Sequence, residues 1–141
     1  VNTQPFTASS APAATAWGGV PVKPLPRLLA TLLCEDAAAS VGLNDGRVSL
    51  TRVFFDLYAA KFPAGFDRLV VVNWWSGGEG MYHVGVRLTA PDGAELSRGE
   101  TQLTAAPEPP QTAGEGRPAT FAQVMYFPRL ALPAPGKYAV E

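Results

Sequence analysis

Charge is what this sequence has least of. Of 141 residues, 11 are Lys or Arg and 12 are Asp or Glu, so charged side chains make up 16% of the chain, against about 25% in an average soluble protein. With a formal net charge of -1 there is no basic surplus to gather phosphates, and nucleic acid is not an expected partner. The single cysteine, Cys34, cannot form a disulfide within this chain, which points toward a reducing, cytoplasmic compartment. One Cys and one His, far apart in sequence, do not make the ligand cluster a transition metal needs, and no cofactor is expected. Apolar runs stay well short of the eighteen or so residues of a membrane helix. The first residues carry neither the basic nor the hydrophobic region of an export signal. No long stretch has the periodicity of an amphipathic helix.

What is present is proline, glycine and short β-rich runs. Residues 1–26 are Ala-, Ser-, Thr- and Pro-rich, and Pro5, Pro12, Pro21, Pro24 and Pro26 exclude regular helix and central strand. They read as an extended or disordered N-terminal arm, and residues 27–141 as the folded domain. Phe6 and Trp17 are unusual in such an arm and are expected to dock on the domain or on a neighbour.

Leu28–Cys34 is an apolar run of strand length, with a short helix as the competing reading. Ala37–Val41 has room for one helical turn before the reversal at Asn44-Asp45-Gly46. Arg47–Phe55 alternates and is β-branched, and Leu69–Trp75 holds the run Val70-Val71-Val72 followed by two tryptophans. Tyr82–Ala90 places Val84, Val86 and Leu88 on one face and His83, Gly85, Arg87 and Thr89 on the other. Pro91-Asp92-Gly93 turns the chain into a weaker strand, Ala94–Thr104, with Gly99 a candidate bulge. Pro107–Pro118 reads as a loop, Ala119–Phe127 as a strand, and Pro133-Ala134-Pro135-Gly136 as a turn into Lys137–Glu141. Short strands separated by turn signals predict an antiparallel immunoglobulin-like β-sandwich of about seven strands, with a closed barrel as the alternative. In that architecture Tyr138 suits a tyrosine corner, returning its hydroxyl to backbone.

Three stretches carry a family resemblance: Leu33-Cys34-Glu35 with Gly46–Leu50 downstream, then Gly78–Leu88, then Phe127–Tyr138. Together they resemble bacterial proteins grouped only as a domain of unknown function with an immunoglobulin-like sandwich. The likeness covers roughly Leu28–Glu141 and implies a fold; it implies no activity, substrate or catalytic residue.

Candidate chemistry is sparse. Cys34 or a serine would need His83 to act as a nucleophile, but Cys34 ends an apolar run and reads as an inert core thiol. Glu35-Asp36 with Asn44 and Asp45 could hold a hard cation only without EF-hand spacing, so a solvated turn is the expected role. Gly77-Gly78-Glu79-Gly80 lacks the Lys and Ser/Thr of a phosphate loop and precedes a strand, so it reads as a hairpin loop. No pair of carboxylates stands out for sugar hydrolysis.

The aromatic residues are the better lead. Val70, Val72 and Trp74 point one way and Val71, Asn73 and Trp75 the other, so one tryptophan must leave the core face. With Trp75 outward, beside His83 and Arg87, that face would be a subunit interface, a contact with a different protein partner, a surface covered by Phe6 or Trp17 of the arm, or a sugar platform made with Trp74 and Tyr82. The expectation is a non-enzymatic structural or interaction module that self-associates through a sheet face, most simply as a dimer. A carbohydrate-binding or other ligand-binding sandwich is the alternative, and a hydrolase stands third.

Overall fold

The computed structural model describes residues 23–39, 47–105 and 120–141. Phe6, Trp17, the turn at Asn44-Asp45-Gly46 and the Pro107–Pro118 loop lie outside them. The described residues contain no helix and form seven strands: β1 (Arg27–Ala39), β2 (Val48–Val53), β3 (Ala64–Ser76), β4 (Gly80–Thr89), β5 (Glu95–Ala105), β6 (Thr120–Leu132) and β7 (Ala139–Val140). A four-stranded sheet has the order β2-β1-β3-β6 and a three-stranded sheet the order β5-β4-β7. All the pairings are antiparallel.

The sandwich is thus immunoglobulin-like in its two layers and its strand number. Its strand order is its own, since the constant-type domain groups strands A, B, E and D against C, F and G. No helix of the described residues is long and apolar enough to cross a membrane.

The leucines of Leu28–Leu33 form strand because they are paired along β3, while β2 takes up the other side of β1 only from Cys34 onward. Leu33 lies opposite Val71 in β3, and Cys34 opposite both Val70 in β3 and Val53 in β2. Packing between these neighbours overrides leucine's helical preference. β1 also continues past Cys34 to Ala39. Glu35 and Asp36 therefore sit in a strand instead of the expected turn, and Ala37 starts no helical turn.

β3 is the axis of the molecule, because its two faces feed two separate apolar clusters. Leu69 and Val71 pack with Val86 and Leu88 of β4 and with Met125, Phe127 and Leu130 of β6. That cluster fills the space between the sheets. Val70 and Val72 pack instead with Cys34, Ala37, Val48, Leu50, Trp74, Ala122 and Val124, on the face turned away from β4. Cys34, Val70, Val71 and Val72 all have 0% exposure, and full burial of each valine is worth roughly 1.5–3 kcal/mol. A continuous valine run is the signature of a strand buried on both faces, and β3 is one.

The expected alternation in β4 holds as far as Leu88, with Val86 and Leu88 in the core and His83 and Arg87 exposed, whereas Thr89, expected outside, is buried. The irregularity between β4 and β5 falls at Leu88/Thr89 and not at Gly99, which stays in register with Val86. Gly99 serves packing: a Cβ there would come within 2.7 Å of Met125 Cε in the core. Before β7, the Tyr138 hydroxyl donates to the Ala134 carbonyl at 2.5 Å, the tyrosine corner that the Pro-Gly-x-Tyr step suggested.

Candidate functional site

The two tryptophans face opposite ways, in the reverse of the expected sense. Trp74 shares the face of Val70 and Val72, turned away from the second sheet. Trp75 follows the alternation of Val71 and Asn73 onto the inter-sheet face. There its indole Nε1–H donates to Gln123 Oε1 at 3.1 Å. The same oxygen accepts from Asn73 Nδ2 at 3.2 Å, and Asn73 Oδ1 accepts from Thr31 Oγ1 at 2.7 Å. A polar row drawn from β1, β3 and β6 thus lines the inter-sheet face beyond the apolar cluster.

His83 and Arg87 belong to the other sheet, on its exposed outer face. The expected group of Trp75, His83 and Arg87 therefore does not form. The cause is the Gly77-Gly78-Glu79 segment, which carries the chain from one sheet to the other and is no hairpin. Gly78 has φ +86, and a Cβ on it would meet the Pro26 backbone nitrogen at 3.0 Å. This position needs glycine for the conformation and for the close approach.

Tyr82 is committed to the same crossover. Its hydroxyl accepts from the Glu79 N–H at 2.9 Å and donates to the Pro24 carbonyl at 2.7 Å, tying the start of the domain to the β3–β4 connection. Trp74, Trp75 and Tyr82 thus occupy an outer face, an inner face and the opposite sheet, and they make no planar row for a sugar ring. Trp17 lies outside the described residues.

Arg87 pairs with Glu141, which raises its pKa first through the hydrogen bond and then through the charge. Arg98 stands directly opposite Arg87 and pairs with Glu95 at 3.1 Å. A shallow depression is lined by Arg87, Arg98, Glu100 and Glu141, and its charges already balance one another.

Glu35, Asp36 and Cys34 are also occupied or shielded. Glu35 pairs with Arg52 at 3.0 Å and Asp36 with Arg68 at 3.1 Å, so the adjacent acids answer to arginines across the sheet. Both pairs are exposed and add little stability. Cys34 sits mid-strand under the outer apolar face, and burial pushes its thiol pKa up, only partly opposed by a hydrogen bond from the Asp36 backbone. This is the environment of an inert thiol.

The surface that sequence reasoning missed lies at the end of β2. Val53, the last residue of β2, is uncovered, and between β2 and β3 Phe55 is 85% exposed and Tyr58 95% exposed, with Leu57 and Phe62 also uncovered. Their neighbour Phe54 turns inward and meets Phe66 edge-on, with ring centroids 5.5 Å apart. The flank of this aromatic segment is therefore anchored while its tip is bare. The only signal in the sequence was composition: Phe54–Phe62 is dense in aromatics but follows neither strand nor helix periodicity.

A family of unknown function, DUF6941, matches residues 29–141, the sandwich from the third residue of β1 onward. The chain belongs to the DUF6941 family. The segments that carried the resemblance are β1 with β2, the crossover with β4, and β6 with the tyrosine corner. No curated protein and no solved structure matches the chain.

Proposed function

We propose that this DUF6941 chain is a non-enzymatic interaction module that self-associates, and that the contact is centred on the bare apolar end of the four-stranded sheet. The observation that carries the reading is the exposure of Phe55 and Tyr58, at 85% and 95%, beside Val53, Leu57 and Phe62. Contiguous exposed apolar side chains on a soluble domain mark interaction surfaces. Aromatic side chains carry most of the energy of such contacts. Each ring withdrawn from water contributes roughly 1.5–3 kcal/mol.

The surface differs from the one expected on sequence grounds. The outer apolar face of β1 and β3 is fully buried at Cys34, Val70 and Val72, and Trp75 is turned inward. The two most exposed large side chains, Tyr58 and Phe55, lie instead at the rim of that sheet. A non-enzymatic role is supported by the state of the candidate groups: Cys34 is shielded, Tyr82 is hydrogen-bonded to backbone, and Arg87 is paired.

Sedimentation velocity over a concentration series tests the reading, with the wild type beside a Phe55→Ser/Tyr58→Ser variant. Both residues are largely exposed, so the variant keeps its fold. The expected result is a reversible dimer for the wild type and a monomer for the variant. A wild type that stays monomeric to high micromolar concentration contradicts the proposal.

A further inference from the structure

Every open sheet edge is a template for another strand, and proteins blunt the edges they do not use. This sandwich blunts three of its edges. At the β6 edge, Pro128 lacks a backbone donor and Arg129 has φ +53. β5 exposes the charged residues Glu95, Arg98 and Glu100. β7 is only two residues long.

β2 is different. Among the described residues it has one neighbour, β1, and no strand on its other side. From Val48 to Thr51 it carries no charge, no proline and no glycine. Ser49 and Thr51 are exposed, and their small hydroxyl side chains leave the edge open to approach. Regular extension stops at Arg52, whose φ is +52 and whose charge is met by Glu35.

We infer that β2 is the self-association edge, pairing antiparallel with β2 of a second copy about a two-fold axis normal to the sheet. This rests on the self-association reading above and specifies its geometry. Such an axis keeps each side chain on the same face in both copies, so paired residues must have the same parity. Centring the ladder on Leu50 satisfies this and confines it to the stretch before Arg52. Leu50 then meets its own copy beside the axis, and Ser49 of each copy faces Thr51 of the other, a hydroxyl pair suited to cross-strand contact. The two four-stranded sheets become one continuous sheet, with a bare aromatic segment flanking the seam at each of its two ends.

A second copy is the occupant that fits, because a two-fold contact applies the same open edge and the same aromatic tip twice. Size agrees. Phe55 and Tyr58 from both copies bring roughly 600–1,000 Å² of aromatic surface, at least half of the about 1,200 Å² at which specific interfaces begin.

The test changes only exposed edge side chains in the full chain. Ser49→Lys/Thr51→Lys places like charges opposite each other in the pair, whereas Ser49→Glu/Thr51→Lys places opposite charges there. Sedimentation equilibrium is expected to show dimer affinity falling at least tenfold in the first variant and returning to within a few-fold of wild type in the second, with thermal unfolding of both close to wild type. A Lys/Lys variant that dimerises as the wild type does overturns the edge pairing while leaving self-association standing. Loss of the dimer in both variants overturns the Leu50-centred register. A monomeric wild type overturns the self-association reading and this inference with it.

Discussion

Trp75 of β3 donates its indole hydrogen to Gln123 Oε1 of β6, 3.1 Å away and inside the sandwich. An indole can only donate, so this bond fixes which end of the Gln123 amide faces it. Gln123 is 6% exposed, and its Nε2 is buried without a hydrogen-bond partner. Trp75→Phe removes the constraint. Gln123 and Asn73 can then turn their amides over together, so that Nε2 donates to Asn73 Oδ1 and Asn73 Nδ2 to Thr31. The expected cost is therefore kept to about 1 kcal/mol in urea unfolding, with no change in association state. A Trp75→Phe variant that loses the dimer would return Trp75 to the interface.

The Cys34 thiol supplies a pH signature. Its folded pKa is raised by burial, so the folded state holds the proton more tightly than the unfolded state. That contribution is complete below the unfolded thiol's pKa of about 8.5 and is lost as pH rises toward the folded value. Wild-type stability minus that of Cys34→Ala is expected to fall as pH rises through that window. Native protein should also resist a bulky thiol reagent until denatured, and rapid stoichiometric labelling without denaturant would contradict this.

At the crossover, Gly78→Ala combines a strained positive φ with contact on the Pro26 backbone at 3.0–3.1 Å. The expected cost is about 1–3 kcal/mol. Because Pro26 must give way, the Tyr82 bond to Pro24 should loosen too. Limited proteolysis is expected to cut near Lys23 sooner in the variant, and an unchanged melting temperature and cleavage rate would contradict the packing described.

Tyr138→Phe removes the hydroxyl of the tyrosine corner and keeps the ring. Loss of the bond to Ala134 is expected to cost about 1 kcal/mol. Tyr58→Phe, at a 95% exposed residue, should leave the monomer's stability unchanged. A destabilisation of the same size at both positions would contradict the assignment of the corner.

Strand content was legible wherever one signal dominated: alternation in β4, the valine run in β3 and the Pro-Gly-x-Tyr step before β7. Strand ends were less legible, because β1 and β6 continue through Glu35-Asp36 and Pro128-Arg129, residues that locally favour turns and are held extended by pairing with β2 and β3. The candidate site failed on topology. Gly77-Gly78 is compatible with a hairpin and with a crossover, and only packing of the two sheets decides between them. Placing β4 in the second sheet separates His83 and Arg87 from both tryptophans. Phe55 and Tyr58 were invisible for a different reason: exposure depends on what packs nearby, and an aromatic in an aperiodic segment reads the same whether buried or bare.

Hydrogen exchange followed by mass spectrometry across a concentration series tests the central claim most directly, since it reads association and its location together. The account predicts that protection of the segment spanning Val48 to Tyr58 grows with concentration, while the β5 and β6 edges exchange at a constant rate. Protection that grows at β5 or β6 instead, or exchange in Val48–Tyr58 that is independent of concentration, would contradict it.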